Sequence, residues 1–590
     1  MTHTGTDARE KRRLAERIDG LRLPLEVFAE QAIEHLRPPA NRPRLHWPIE
    51  FPEVFVDERG EPRDDGGFDA VIGNPPYIRV QELGRDLADY CRARFATARG
   101  SFDAYVVFLE RGLGLLSPHG RLGFIVPNKL FKLDYGERLR GALSAGALVD
   151  EVLDFGASQV FTEATNYTCL LVLDRGGVEE LSYRRIQGTR DELLAELAAP
   201  STVPAQRFPT RTLGGAPWVL VPPEEAAVIR TSSEGSERLD AVTRQIFQGL
   251  ITSADDVYVL EDRGERSGLR VVYSRASDRE LEIEPDLLHP LASGEDTGHY
   301  AFRALVDSLL FPYAREADAM RLLSRDELTH VPRTWGYLEQ HEGRLRAREN
   351  GRMDHDRWYA FGRTQSLGLH DSPKLGVAAT VKRLEVSADL EGDVYFHNVR
   401  VNGILGAERG LGLPTVLVLL NSRLLDWIFR RGSAHHANDY YAANKQFIAG
   451  LPIRIPSGRQ GGELEALGRR LHDLAASTAE ERGSFLRWLA STVGAPRASL
   501  LRRRELAGYE VVGADRVVGA LNRMRNQLAV DPRERAVREL IEAEHRRSVE
   551  RLRPVLDELT SAEREADAQV YELYELPTHM RALVEAEYET

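Results

Sequence analysis

Short apolar runs that alternate with helical patterns constrain the fold most, between residues 68 and 175. The strand candidates are "FDAVIG", "GRLGFIVPN", "LVDEVLDFG" and "NYTCLLVLD". Between them, "DAYVVFLERGLGLL" and "YGERLRGALSAG" have the periodicity of amphipathic helices. Strands that alternate with helices of about 10 to 15 residues predict a parallel α/β sheet. The last two strands follow each other closely, so we expect an antiparallel pair at that edge.

Composition excludes several classes of protein. A chain of 590 residues is too long for a single core, so we expect two to four domains. No apolar run approaches the roughly 20 residues that span a bilayer, and the N-terminus lacks an apolar signal core. We therefore expect a cytoplasmic protein. The two cysteines are too few for a disulfide framework or a cysteine-rich zinc site.

The net charge of −13 argues against indiscriminate coating of nucleic acid, although a local basic groove is compatible with it. Arginine greatly outnumbers lysine. This excess suits planar, bidentate recognition of phosphates or bases. A bias in the composition of the genome explains it as well, so both interpretations stay open.

The pattern along the chain predicts four regions. Residues 1–45 are a polar helical lead-in, and residues 46–210 contain the α/β pattern. The stretch "LAAPSTVPAQRFPTRTLGGAPW" has the composition of a linker. Residues 211–460 predict a mixed α+β domain, and residues 461–590 predict charged, leucine- and alanine-rich helices.

The first strand candidate ends at Asn74-Pro75-Pro76-Tyr77. Prolines terminate strands because they donate no backbone hydrogen bond, and this is the structural interpretation. The segment also lies at the carboxyl end of a strand, where open α/β sheets bind ligands. An exocyclic amine on a nucleobase needs two acceptors and a stacking ring. The Asn74 side chain, the Pro75 carbonyl and the Tyr77 ring offer these groups.

This segment resembles the catalytic motif of amino-methylating DNA methyltransferases, and most closely that of the adenine-N6 class. The stretch from "SFDAYVVFLERG" to "KLDYGERLR" is similar to the segment after the motif in gamma-class, type IIG restriction–modification enzymes. Upstream, "HWPIEFPEVF" resembles the stretch before their catalytic strand. The stretch "VFTEATNYTCLLVL" resembles the segment whose phenylalanine, here Phe161, contacts the extruded adenine. An ordinary core aromatic is the alternative for Phe161.

Further segments resemble a TaqI-like specificity domain. They are "LDAVTRQIFQGLITSADDVYVL", "IEPDLLHPLASGED" and "YYAANKQFIAGLPI", and "DAQVYELYELP" is similar to the end of type IIG-like chains. The resemblance implies a partial Rossmann-like methyltransferase sheet, an α+β target-recognition domain and a helical C-terminal region. It also implies that double-stranded DNA is the substrate and that the Asn74-to-Tyr77 segment holds a flipped adenine.

Two arginine-bearing segments are candidates for DNA contact. Arg357, Trp358 and Arg363 lie in "GRMDHDRWYAFGR". Arg430, Arg431 and Lys445 lie in "FRRGSAHHANDYYAANKQF". Arginine can bind phosphates or guanine edges and aromatic rings can stack on bases, but solvated loops would have the same composition. The adjacent histidines lack the spaced carboxylates of a metal site. No nuclease signature is evident.

The resemblance implies S-adenosylmethionine as methyl donor, bound by a glycine-rich turn after a strand. No convincing turn is present. Gly20 is isolated, and "RGEPRDDGG", "VLDFGASQV" and "EVVGADRVVGAL" fit poorly. We therefore expect an adenine-N6 methyltransferase subunit of a restriction–modification or phage-defence system whose donor site a protein partner completes. A non-catalytic DNA-recognition subunit is the alternative. Methylation of RNA or of a protein amide fits the TaqI-like region less well.

Overall fold

The structure, a computed structural model, describes residues 45–589 apart from 157, 159, 161–166, 199–202, 318, 409 and 502. It divides into two compact units, Met1–Val71 with Leu115–Gly120 and Ile72–Gly114 with Arg121–Thr590. The predicted helical lead-in lies outside the described residues except at its last position.

Aromatic packing organises the described part of the first unit. Two short helices, α1 (Trp47–Glu50) and α2 (Pro52–Phe55), place three aromatic rings around Phe68, with ring centroids 5.3 to 5.7 Å from it. The backbone N–H of Phe68 donates to the carbonyl of Leu115 at 2.8 Å. Gly67 has φ +133°, and a Cβ there would lie 2.3 Å from the backbone of Leu116. Only glycine fits this close approach.

A six-stranded sheet carries the predicted α/β pattern. Its strand order is β1-β2-β4-β3-β5-β6. The strands are β1 Phe68–Gly73, β2 Leu116–Pro127, β3 Val149–Asp154, β4 Thr168–Asp174, β5 Glu180–Arg185 and β6 Gln206–Pro209. The helices are α3 Arg85–Arg94, α4 Ala104–Leu113, α5 Glu137–Ala145 and α6 Arg190–Ala198. The four predicted strands and the two predicted helices are confirmed.

The sheet is mixed rather than wholly parallel. Ile72 lies beside Gly123 and Gly73 beside Phe124, so β1 and β2 advance together. Strand β4 runs antiparallel to β2 and β3, β5 runs parallel to β3, and β6 runs antiparallel to β5. The predicted antiparallel pairing of β3 with β4 is confirmed, but its predicted place at the edge is wrong, because β4 is an interior strand. Its nearly continuous apolar run suits burial on both faces.

Two larger sheets lie in residues 243–407. The six-stranded one has the order β11-β10-β9-β14-β12-β20, and the five-stranded one has the order β13-β19-β17-β21-β8. The strands are β7 Glu237–Arg238, β8 Thr243–Gln248, β9 Val259–Arg266, β10 Leu269–Ser274, β11 Arg279–Ile283, β12 Leu288–Ala292, β13 Tyr300–Ala301, β14 Asp307–Leu310, β15 Tyr313–Glu316, β16 Ala319–Leu322, β17 Lys374–Ala378, β18 Thr380–Val381, β19 Val386–Asp389, β20 Tyr395–Phe396, β21 Val401–Ala407, β22 His435–His436, β23 Tyr440–Ala442 and β24 Pro452–Ile453.

Helices accompany these sheets and make up the C-terminal region. Those of residues 211–460 are α7 Pro223–Ser233, α8 Leu239–Val242, α9 Asp255–Tyr258, α10 Arg325–Leu328, α11 Pro332–Gln340, α12 Glu342–Arg346, α13 Arg348–Gly351, α14 Leu413–Asn421, α15 Arg423–Gly432 and α16 Lys445–Ile448. Beyond them lie α17 Gly458–Val493, α18 Arg497–Leu501, α19 Arg504–Ala507, α20 Ala514–Asn522, α21 Arg535–Leu573 and α22 Thr578–Glu585.

The C-terminal helices share a core with the five-stranded sheet. Helix α14 is predominantly apolar and almost wholly buried, and Leu467 of α17 and Val570 of α21 belong to the same cluster. A second cluster around Phe485 and Tyr509 joins the far ends of the long helices. None of the described helices is long and apolar enough to cross a membrane. The predicted division of the chain into four regions stays a prediction.

The interior position of β4 predicts a large effect of truncation. Leu171 is fully buried there, so Leu171→Ala should lower the free energy of unfolding of this sheet by about 2–5 kcal/mol. Leu540→Ala, at a position 55% exposed, is the matched control and should cost less than about 1 kcal/mol. Hydrogen exchange of the β2, β3 and β4 amides measures both. Equal protection in the two variants would contradict the interior placement.

Candidate active site and recognition surface

The Asn74-to-Tyr77 segment leaves the carboxyl end of β1 as an open loop. Asn74 and Pro76 are exposed, Pro75 is buried and Tyr77 is half-buried. The Tyr77 hydroxyl donates to the carbonyl of Ile125 at 3.1 Å, and its ring meets Tyr105 edge-on with centroids 6.1 Å apart. Burial raises the pKa of Tyr77 to about 12, so the phenol is neutral at physiological pH. The loop therefore presents an exposed amide beside a fixed ring.

A short backbone pairing holds this loop in place. The N–H of Val80 donates to the carbonyl of Phe102, and the N–H of Ala104 donates to the carbonyl of Ile78, each at 2.9 Å. Asp103, between them, has a buried Oδ1 with no hydrogen-bond partner among the described residues. Burial raises the pKa of its carboxyl group. The segment after the loop is thus anchored to the start of α4.

Sequence reasoning missed a polar network at the carboxyl ends of β2, β3 and β5. The Asn128 amide donates to Asp154 Oδ1 at 2.9 Å and to the Gly156 carbonyl at 3.1 Å. The Tyr183 hydroxyl donates to Asp154 Oδ2 at 2.9 Å. The sequence pattern could have identified these residues, because Asn128 and Asp154 each come at or just after the end of an apolar strand, as Asn74 does.

Lys132 was also missed, and it joins the α/β sheet region to helix α15. Its ammonium donates to the carbonyls of Arg431 at 2.9 Å and Ser433 at 2.5 Å. In return, the Gln446 amide donates to the Lys132 carbonyl at 3.3 Å. The carbonyls at a helix C-terminus lack partners and carry partial negative charge, so a cation there is favourable. Burial lowers the pKa of Lys132 to about 8.

The structure corrects the prediction that Arg430 and Arg431 contact DNA. Arg430 pairs with Asp426 at 3.1 Å and Glu587 at 2.6 Å. Arg431 pairs with Glu225 at 2.7 Å and also with Glu587. Their side chains are only 17% and 13% exposed. Both guanidinium groups therefore hold α15 against α7 and the C-terminal segment, and neither is available to a phosphate.

Trp358 also differs from the prediction, because it is fully buried and packs against Trp335 with ring centroids 5.6 Å apart. It is a core residue and has no surface for stacking on a base. Its neighbours Arg357 and Arg363 are exposed, as is Lys445 at the start of α16. A role for these three in DNA binding stays a prediction, and Phe161 lies outside the described residues.

Two of the glycine stretches considered as donor turns differ from a glycine-rich turn after a strand. The turn at Gly156 is closed by Asp154, and a Cβ at Gly156 would lie 2.5 Å from Gln187 Nε2. The stretch around Gly513 begins helix α20 and follows no strand. Within the part of the chain that the structure describes, β1 pairs with β2 alone. No group of three or more His, Cys, Asp or Glu residues in that part could hold a metal ion.

Part of the chain matches a known protein family. Residues 15–161, which include the Asn74-to-Tyr77 loop, match the Eco57I restriction-modification methylase family. The chain is 25% identical over 315 residues to the type II restriction enzyme and methyltransferase RM.Eco57I of Escherichia coli, covering 51% of this chain and 31% of that protein. It is 26% identical over 322 residues to the type II methyltransferase M.PaeR7I of Pseudomonas aeruginosa, covering 53% and 52%.

The chain thus spans between about a third and about half of the length of these curated relatives. A solved structure of the type IIL restriction–modification enzyme MmeI in complex with DNA aligns with 87% of this chain and 57% of that chain, with a TM-score of 0.48 and 11% identity. The resemblance to restriction–modification methyltransferases inferred from the sequence is confirmed.

The lowered pKa of Lys132 predicts a pH dependence of stability. It is about 8 in the folded protein and 10.5 for an unperturbed lysine, so unfolding takes up a proton between these values. The wild type should therefore gain up to about 1.4 kcal/mol of stability per pH unit relative to Lys132→Met across that window. Below pH 8 the difference in the free energy of unfolding between the wild type and Lys132→Met should be constant. Urea unfolding at several pH values measures it, and parallel profiles up to pH 10 would refute the assignment.

Proposed function

We propose that this relative of the Eco57I restriction–modification methylases is a subunit of a sequence-specific DNA adenine-N6 methyltransferase in a restriction–modification or phage-defence system. The observation that carries the proposal is the loop at the end of β1, where Asn74 is exposed and Tyr77 is fixed by its bond to Ile125. A loop that only terminated a strand would not need an exposed amide beside an immobilised ring.

The loop suits the chemistry of an exocyclic amine. The amine lone pair of adenine is delocalised into the ring, so the nitrogen is a poor nucleophile. The Asn74 side-chain oxygen and the Pro75 carbonyl would accept its two hydrogens and favour a more tetrahedral nitrogen. Pro75 is buried and its φ is fixed, so its carbonyl direction is set in advance. The base must first leave the duplex, and the Tyr77 ring offers it a stacking surface in exchange.

We propose that residues 211–460 recognise the DNA site. Arg357, Arg363 and Lys445 are exposed there, and we assign them to DNA contacts. Among the described residues no carboxylate pairs with their side chains, in contrast to Arg430 and Arg431. The surface would therefore meet DNA with charges that are not already neutralised.

S-adenosylmethionine would supply the methyl group, and we propose that a protein partner completes its site. The support is the solvent exposure of the edge strand β1. Ile72, in a strand that would be buried in an ordinary parallel sheet, is 85% exposed. An exposed apolar edge strand is a template for further strands. The donor half supplied by the partner would lie next to Asn74, because both belong at the carboxyl end of the sheet.

Asn74→Ala should abolish methyl transfer while duplex binding stays within about twofold. The substitution removes one of the two acceptors of the target amine and leaves the recognition region intact. Asn526→Ala, an exposed asparagine in the C-terminal region, is the matched control and should leave transfer unchanged. Transfer of labelled methyl to mixed-sequence duplex DNA, with whatever co-purifies from the native host, gives the readout. Wild-type activity in the Asn74 variant would refute the proposed function.

Ile72→Lys tests the partner. A charge at position 72 of β1 should prevent strands of the partner from packing there. Co-purification of the partner and methyl transfer should therefore both fall at least tenfold. Val511→Lys is the matched control, because Val511 is likewise 85% exposed but lies far along the chain in the C-terminal region. Transfer by the chain alone would show that no partner is needed. DNA binding without transfer in every mixture would favour the non-catalytic recognition subunit.

A further inference from the structure

A cleft of the second unit lies in the proposed recognition region, and none of its lining residues belongs to the Asn74 loop. It has a volume of about 1530 Å³ and runs between strand β8 and the segment 353–372. Pockets for small ligands usually have about 300–1,000 Å³. The cleft is therefore better sized for a macromolecule than for a cofactor, and its assignment to DNA rests on the proposed function in DNA recognition.

Two polar residues line one wall of the cleft. Arg244 and Gln245 are neighbours on β8, which is the edge strand of the five-stranded sheet. Both are exposed. Neither side chain has a hydrogen bond or an ion pair with another residue in the part of the chain that the structure describes. Opposite Arg244, Gly406 has φ +59°, and the regular pairing with β21 lapses at that point.

The facing wall adds a second cation and an apolar surface. Arg357 and Thr364 are exposed there, and the buried rings of Tyr313 and Phe361 line the cleft as well. Among the described residues that line it, Asp356 is the single carboxylate, in a chain whose net charge is −13. The cleft is thus locally basic, with polar groups beside an apolar surface. This combination suits base edges, which present acceptors, donors and the thymine methyl group together.

Hydrogen bonds within the chain hold each wall, and precise recognition requires such support. The buried guanidinium of Arg348 donates to the carbonyls of Thr252 at 2.7 Å, Trp358 at 2.6 Å and Ala360 at 2.8 Å. It therefore fixes the segment that carries Arg357. The other wall is held by the ladder between β8 and β21.

We infer that Arg244 and Gln245 determine part of the target sequence, each by reading one base pair from the major groove. A guanidinium matches O6 and N7 of guanine, and a carboxamide matches N6 and N7 of adenine. On this basis Arg244 selects a guanine and Gln245 an adenine. Arg357 holds the duplex in the cleft from the other side.

Selection of duplexes from a random-sequence library by the purified full chain tests this inference, because it requires binding and no methyl transfer. The wild type should enrich one motif. Arg244→Ala should lose discrimination for guanine at one position, and Gln245→Ala for adenine at another, each by about tenfold to a hundredfold. Arg535→Ala, a control arginine on α21 whose side chain is 92% exposed, should enrich the wild-type motif.

Conservative variants separate base readout from charge and from folding. Arg244→Lys keeps the charge but loses the bidentate fork, so it should relax the same guanine position. If Arg244→Lys kept the motif and Arg244→Ala weakened binding equally on all sequences, Arg244 would be a phosphate contact and the inference would be wrong. An unchanged motif in both alanine variants would also overturn it and leave the proposed function standing. A wild type that bound no DNA would overturn both.

Discussion

The ammonium of Lys132 is the contact on which the alignment of the α/β sheet region with the recognition region depends. It lies just after β2 and binds two carbonyls at the end of α15. Helix C-termini leave carbonyls unpaired, and their partial negative charge offsets part of the desolvation of the lysine, whose pKa burial still lowers to about 8. Because Arg431 is itself paired with Glu225 and Glu587, the same helix end also ties α7 and the C-terminal segment together.

Arginine has two roles in this chain, and tertiary context separates them. Arg348, Arg430 and Arg431 are enclosed and donate to carbonyls or carboxylates of the chain. Arg244 and Arg357 face an open cleft. A guanidinium keeps its charge when buried and has five donors, so it serves either purpose. Local sequence does not distinguish the two cases, since Arg-rich loops and Arg-rich helix ends look alike.

Strand β1 combines two features that ordinary parallel sheets keep apart. Its sequence is that of an interior strand, yet within the described residues only β2 pairs with it, and Ile72 is exposed. The proposed catalytic loop begins directly after its last residue. The energetic cost of an unpaired apolar edge is removed when further strands pack against it. Assembly of a donor site and burial of this edge would then be one event.

The sequence by itself determined the local elements and the Asn74-to-Tyr77 loop, whereas tertiary structure decided the pairing and the recognition surface. Apolar runs with turn residues at their ends fix strands locally, and two prolines fix where a strand stops. The position of β4 inside the sheet was decided by pairing with β2 and β3, which no local pattern encodes.

Trp358, Arg430 and Arg431 resembled DNA contacts along the sequence, but packing buries the first and carboxylates more than 150 residues away neutralise the others. Arg244 and Gln245 lie in a segment that resembled a specificity domain, but nothing in the local sequence singled them out, because a cleft exists only where distant segments meet. Local geometry follows from nearby residues, whereas burial and charge pairing follow from long-range contacts.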